Sequence, residues 1–290
     1  MSGNNYNKRS GQVLLIIVLL LAVLLTVVLS LSFTAKTETQ LTKLEEDNQK
    51  ALAAAEAGIE AEINQKVGVA PVAINTLPGL GNFSGQVSVS GTSGITFLTP
   101  LILPNQQYTF YLVDYNDGKF YNKPPYSGTV NIHYGLKAGD CDSMALEITV
   151  LSGDQAPFTI SRWVADTSKT LGSTVNNIGE KNTQTKDGVT FYCDLTDQDN
   201  GGNGIHGIKK INNARLMLVR NVNGKSINTQ LDFEGTDANN NRCLKGTTAG
   251  LCPQGKYVQS TATTQTGVTK QVQLFQSYPQ LPAEFFPTSF

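Results

Sequence analysis

The sequence predicts an α+β protein: one long N-terminal helix, its first half membrane-spanning, packed on a C-terminal antiparallel β-rich domain. Three observations predict it. An apolar run without a charged residue occupies positions 13–33. The next stretch, up to Gly68, holds no proline and only Gly58 as an internal glycine. Beyond Pro71, apolar residues recur every second position between turn-forming dipeptides, the pattern of strands. A long helix followed by a run of strands is the signature of a segregated α+β arrangement.

The apolar run sets the first element, residues 12–33. It is broken only by Thr26, Ser30 and Ser32, and about 20 apolar residues suffice to cross a bilayer as a helix. Lys8 and Arg9 precede it. The positive-inside tendency then leaves the N-terminus in the cytoplasm and the rest of the chain outside, as a single-pass protein. A cleaved secretory signal has a shorter apolar region of about 7–15 residues, although Ser30-Leu31-Ser32 mimics a small-residue cleavage site.

The second element, residues 34–68, continues the helix. Leu41, Leu44, Asn48, Leu52, Ala55, Ile59 and Ile63 recur in helical steps and predict one amphipathic face. Ala51, Ala53, Ala54, Ala55 and Ala57 add helix propensity, and Glu62 with Lys66 forms a favourable pair four apart. With no breaker between the two elements, residues 12–66 read as one helix, roughly 80 Å long at ~1.5 Å per residue. Such a helix serves equally as an anchor with a stalk or as the core helix of an outer domain.

The third element, residues 69–290, is expected to be an extracytoplasmic β-rich domain of about eight to ten strands. Positions 86–89 and 145–150 alternate polar and apolar. Three hairpins are expected. The first joins 108–113 to 119–121 through Asn116-Asp117-Gly118, the second joins 215–220 to 225–231 through Asn223-Gly224, and the third joins 256–261 to 269–275 around Gly267. The tail carries Pro279, Pro282 and Pro287 with Phe285, Phe286 and Phe290, which favours an extended run over a helix.

Charge and cysteine content narrow the function classes. The net charge is −1 and only 16% of residues are charged, which argues against a nucleic-acid partner. All 4 cysteines lie beyond the apolar run and allow three pairings. Cys243 and Cys252 enclose a short loop suited to local closure, which leaves Cys141 and Cys193 to join two more distant strands. Free thiols are the alternative. A metal site made from the cysteines lacks C-x-x-C spacing.

Two oxygen-rich loops are weak calcium candidates, one built on Asp194, Asp197, Asp199, Asn200 and Asn203, the other on Asp237, Asn239, Asn240 and Asn241. Neither has the terminal Glu of a calcium-binding loop, so turn building is the simpler reading. His133, in an expected strand, reads as a surface or half-buried side chain rather than a catalytic base, and His206, after the glycine loop, as a chance neighbour of Asp197 and Asp199. Trp163 reads as a core plug. No nucleophile elbow, zinc-protease or nucleotide-binding pattern occurs, so no enzyme and no cofactor other than calcium is expected.

Lys8, Arg9, Ser10, Gly11 and Gln12, running directly into the apolar stretch, resemble the leader of type IV prepilins. Ala54, Ala55, Glu56, Ala57, Gly58, Ile59 and Glu60 resemble the AAEAGIE-like segment of minor pilins of the PilX type. The resemblance spans positions 8–66. It implies that residues 1–11 are a leader cut after Gly11 by a prepilin peptidase, and that the new amine on Gln12 is a candidate for methylation. It further implies that the retained helix joins other pilin-like subunits in a cell-surface filament, or fimbrium. Pilins of this family usually carry a glutamate at the fifth position after the cut, where this chain has Ile16. That departure points to an accessory subunit rather than the repeating one. The alternative from a different class is a permanently anchored single-pass surface binding protein, an adhesin.

Overall fold

The computed structural model describes residues 10–92, 96–115, 118–119, 123–153, 157–168, 178–195, 208–222, 227–237 and 251–282. They form one α-helix and thirteen strands. The helix α1 is Ser10–Glu62; the strands are β1 Val72–Ala73, β2 Ser84–Gly91, β3 Thr96–Leu98, β4 Gln107–Tyr111, β5 Tyr126–Tyr134, β6 Ala145–Ser152, β7 Thr159–Ala165, β8 Gly179–Lys186, β9 Val189–Leu195, β10 Ile208–Val222, β11 Asp232–Asp237, β12 Gly255–Thr263 and β13 Thr269–Ser277. The pairing of β1 with β2 and those among β3 to β11 are antiparallel, so the expected α+β class holds. The chain divides into two compact units, Met1–Ala61 with Val72–Val87 and Ser260–Val272, and Glu62–Pro71 with Ser88–Gln259 and Gln273–Phe290.

In the first unit, α1 runs unbroken for 53 residues, about 80 Å at the usual rise. It stops at Glu62, four residues short of the expected end, where Gln65 N–H closes onto Glu62 O at 2.9 Å. Lys66 therefore lies past the helix, and Glu62 is buried instead of pairing on its surface. The buried face shares Ala55 and Ile59 with the expected one and otherwise differs from it. Ala51, Ala54, Ala55, Gly58 and Ile59 are inside, while Leu41, Leu44 and Leu52 are exposed. Both stripes have helical spacing, and the small residues win because they let a sheet come close. A Cβ on Gly58 would sit 2.5 Å from Ser260 Oγ and 2.9 Å from Val87 Cγ2.

The strands facing this stripe belong to a four-stranded sheet ordered β1-β2-β12-β13. Its β12–β13 hairpin is the one expected from sequence. Gly267, at φ 91°, donates its N–H to Thr264 O at 3.0 Å, and Thr264 N–H reaches Val268 O at 2.9 Å.

The second unit holds a nine-stranded sheet with the path β3-β11-β5-β10-β6-β7, to which β4 adds on β10, β9 on β5 and β8 on β9. The expected hairpin of 215–220 with 225–231 is not how the strands pair, and residues 120–121 of the other expected hairpin lie outside the described residues. β4 pairs with β10, Leu216 opposite Tyr111 and Val219 opposite Tyr108, and Lys119 lies outside any strand. β10 pairs with β4, β5 and β6 rather than with the segment after it. Its register shifts near Asn213, at φ 54°, and there its neighbour changes from β5 to β4. The Asp117 and Asn223-Gly224 turn positions lie outside the described residues. A turn not expected from sequence does close a hairpin. Asp187 and Gly188 both have positive φ, 47° and 79°, between paired Lys186 and Val189, as a two-residue primed turn requires.

The core of this sheet is bulky. Phe110 stacks on Phe233 at 4.1 Å and meets Phe97 edge-on at 6.4 Å. Ile132, Leu146, Ile148 and Met217 fill around them, and Trp163 packs against the cluster half-buried. β6 is inside along six consecutive residues, so the alternation seen there in sequence does not mark a wet face. The tail, as far as residue 282, runs extended along β4. Tyr111 Oη donates to Pro279 O at 2.7 Å, and Leu281 N–H donates to Thr109 Oγ1 at 3.1 Å.

Candidate functional site

Two parts of the molecule carry features that packing alone does not require. The first is the leader end of α1. Gly11 and Gln12 lie in its first turns. From Leu14 on, α1 is long and apolar enough to cross a bilayer, and none of its most apolar window is buried by protein. Ile16 sits in that bare stretch, exposed. The hydroxyls within and just beyond the run add little polarity, because they bond back to their own helix. Thr26 donates to Val23 O at 2.8 Å, Ser32 to Val28 O at 2.9 Å and Thr34 to Ser30 O at 3.0 Å. The AAEAGIE stretch supplies four members of the buried small-residue face, Ala54, Ala55, Gly58 and Ile59.

The second part is a polar row on the large sheet. His133 on β5 stands opposite Asp232 on β11 and also opposite Asp194 on β9. Cross-strand partners point to the same face, so three ionisable side chains line up across three adjacent strands. Strand period two adds Glu234 beside Asp232 and Asn131 beside His133, and these two are themselves register partners. His133, Asp194 and Asp232 are buried and Glu234 half-buried. His133 Nδ1 lies 3.4 Å from Asp194 Oδ1 and Nε2 lies 3.6 Å from Glu234 Oε2. Lys186 Nζ holds the other Glu234 oxygen at 2.5 Å.

Electrostatics in the row are tense. Burial pushes the Asp232 carboxyl up to about 6, with Glu234 repulsion in the same direction. Burial works against a charged His133, yet Asp194, then Glu234 and Asp232, outweigh it and hold the imidazole above its ordinary value.

No family model, curated protein or solved structure matches the chain. The two sites therefore stand on their own geometry.

Among the other residues singled out in the sequence, Cys141 and Cys193 form a disulfide with Cα atoms 5.5 Å apart, tying the turn at Asp140–Asp142 to β9. Cys252 is also disulfide-bonded, and Cys243 lies outside the described residues. So do Asp197, Asp199 and His206. Asp194 is a buried strand residue rather than part of a loop, and Asp237 is the last residue of β11, opposite Gly128. His133 is buried rather than at the surface or half-buried, and Asp232 and Glu234 carry no motif that marks them in the sequence. The available signal was spacing: Asn131-x-His133 and Asp232-x-Glu234 each place two polar groups on one face of a strand.

Proposed function

We propose that the chain is a minor, pilin-like structural subunit of a type IV pilus or related filament, processed after Gly11 and assembled through α1. The observation that carries the reading is continuity. The leader-like residues 10–12 open a single 53-residue helix whose apolar half has no protein covering it. An uncovered apolar helix is held by lipid before assembly and by neighbouring helices afterwards, where association depends on close packing. Lys8 and Arg9 set the N-terminus in the cytoplasm and the β-rich part outside.

Ile16 refines the role. A carboxylate within the apolar span requires a partner charge, and the family's glutamate would find it in a neighbour's terminal amine. Ile16 makes no such pair, which favours an accessory position over the repeating one. The partners are then the prepilin peptidase and other pilin-like subunits, with methylation at Gln12. No catalytic role is part of this reading.

N-terminal sequencing and intact mass of the protein from its native membrane test it. The expected mature chain begins at Gln12, and Gly11→Leu leaves the chain uncut and absent from sheared surface filaments. A mature N-terminus at Met1 overturns it in favour of a permanently anchored binding protein. One near residue 33 overturns it in favour of a discarded secretory signal.

A further inference from the structure

The polar row on the large sheet contains groups that the fold leaves unsatisfied. Among the described residues, both Asp232 carboxylate oxygens, both His133 ring nitrogens and Asn131 Oδ1 are buried without a hydrogen-bond partner. Asp232 has no solvent exposure at all. Buried polar atoms almost always find partners, and an ionised carboxylate left bare inside a protein is among the most unfavourable arrangements. Five such atoms on one face of two neighbouring strands form a pattern rather than scatter.

The geometry matches ligands aimed at a common centre. One atom each from His133, Asp232 and Glu234 lies within 4.8 Å of the others. Nε2 and Glu234 Oε2, 3.6 Å apart, are too distant for a good hydrogen bond but close to the separation of two ligands on one ion. With metal–ligand bonds of about 2.0–2.2 Å, tetrahedral ligand atoms lie roughly 3.3–3.6 Å apart. Charge agrees. Asp194, Asp232 and Glu234 bring three potential negative charges, and Lys186 neutralises one of them at Glu234 Oε1. A divalent cation balances the other two.

We propose that His133, Asp232 and Glu234 bind one divalent transition-metal ion of the zinc class, with Asp194 orienting the imidazole. An imidazole nitrogen among the donors favours zinc-like ions over calcium and magnesium, which take oxygen donors. Asp194 stands on the Nδ1 side of the ring, the place of the carboxylate in a carboxylate–histidine–metal arrangement. It is itself fixed: Oδ1 accepts the Leu195 N–H at 2.7 Å and Oδ2 accepts from Asn182 Nδ2 at 3.3 Å. Glu234 and Lys186 reach the surface and provide the route of entry. The ion clips β5 to β11, and through Asp194 it engages β9.

The test uses the full-length chain in detergent, stripped with EDTA, dialysed and titrated with zinc chloride. Calorimetry and elemental analysis are expected to give one zinc per chain, with a rise in unfolding temperature that EDTA reverses. Asp232→Asn and Glu234→Gln each lower zinc affinity by about 100-fold or more, and Asp194→Asn by about 10–100-fold. Should Asp232→Asn fail to fold, Glu234→Gln decides alone, because its side chain is partly at the surface. The proposal is overturned by an absent zinc-dependent shift in the wild type, by equal zinc uptake in Glu234→Gln, or by calcium stabilising the chain more than zinc does.

Discussion

The two packed regions of this protein exclude water by opposite means. In the large sheet, contact is made by bulk: Phe97, Phe110 and Phe233 meet ring to ring. On α1, contact is made by smallness, through Ala51, Ala54, Ala55 and Gly58. The difference teaches where each region is vulnerable. A core filled by large side chains fails when atoms are removed, because the cavity does not collapse fully. A face built of small residues fails when atoms are added, because the backbone behind it has nowhere to go.

The largest expected effect lies in the bulky region. Phe110 is fully buried and stacks on Phe233. Phe110→Ala should lose about 3–5 kcal/mol of stability, read as a lower urea midpoint by tryptophan fluorescence, since Trp163 packs on the same cluster. A loss below about 1 kcal/mol would mean that the ring stack contributes little and that the contrast with α1 is false.

The converse substitution probes the helix face. Gly58→Leu drives a side chain into Ser260 and Val87 and should cost about 1–3 kcal/mol, even though leucine is a better helix former than glycine by roughly 0.8 kcal/mol. Ser260→Ala in the same chain should restore part of the loss, because it removes the nearest atom. If Gly58→Leu instead raises the unfolding midpoint, propensity has won and the face is not closely packed.

Legibility in the sequence divides along the same line. α1 was legible because composition and period are local properties: an uncharged run, alanines and no breaker are enough. Which stripe of α1 faces inward was not, because Leu41, Leu44 and Leu52 have the same helical spacing as Ala51, Ala54 and Gly58 and only the partner sheet chooses between them. The β12–β13 hairpin was legible from Gly267 and its short span. The partners of β4 and β10 were not, because Leu216 pairs with Tyr111, far away along the chain. The Asp187-Gly188 turn was hidden because β8, Gly-Glu-Lys-Asn-Thr-Gln-Thr-Lys, is polar throughout and offers no apolar alternation to flag it. The polar row escaped for both reasons. His133, Asp194 and Asp232 are distant in sequence and meet only through strand register.

The smallest effect sharpens the comparison most, because it separates folding from assembly on a single helix. Leu52 is 41% exposed and Ile59, two turns further on, is 6% exposed. Leu52→Gln keeps helix propensity and removes only exposed apolar surface, so stability should change by no more than about 0.5 kcal/mol. Ile59→Gln puts an amide at a buried position of α1 and should cost several times more. If the Leu41–Leu44–Leu52 stripe serves a neighbouring subunit, Leu52→Gln chains should be processed and folded normally yet depleted from sheared filaments. Equal recovery of Leu52→Gln and wild type in those filaments would remove the stripe from the assembly surface. It would leave the apolar first half of α1 as the part that serves the proposed assembly.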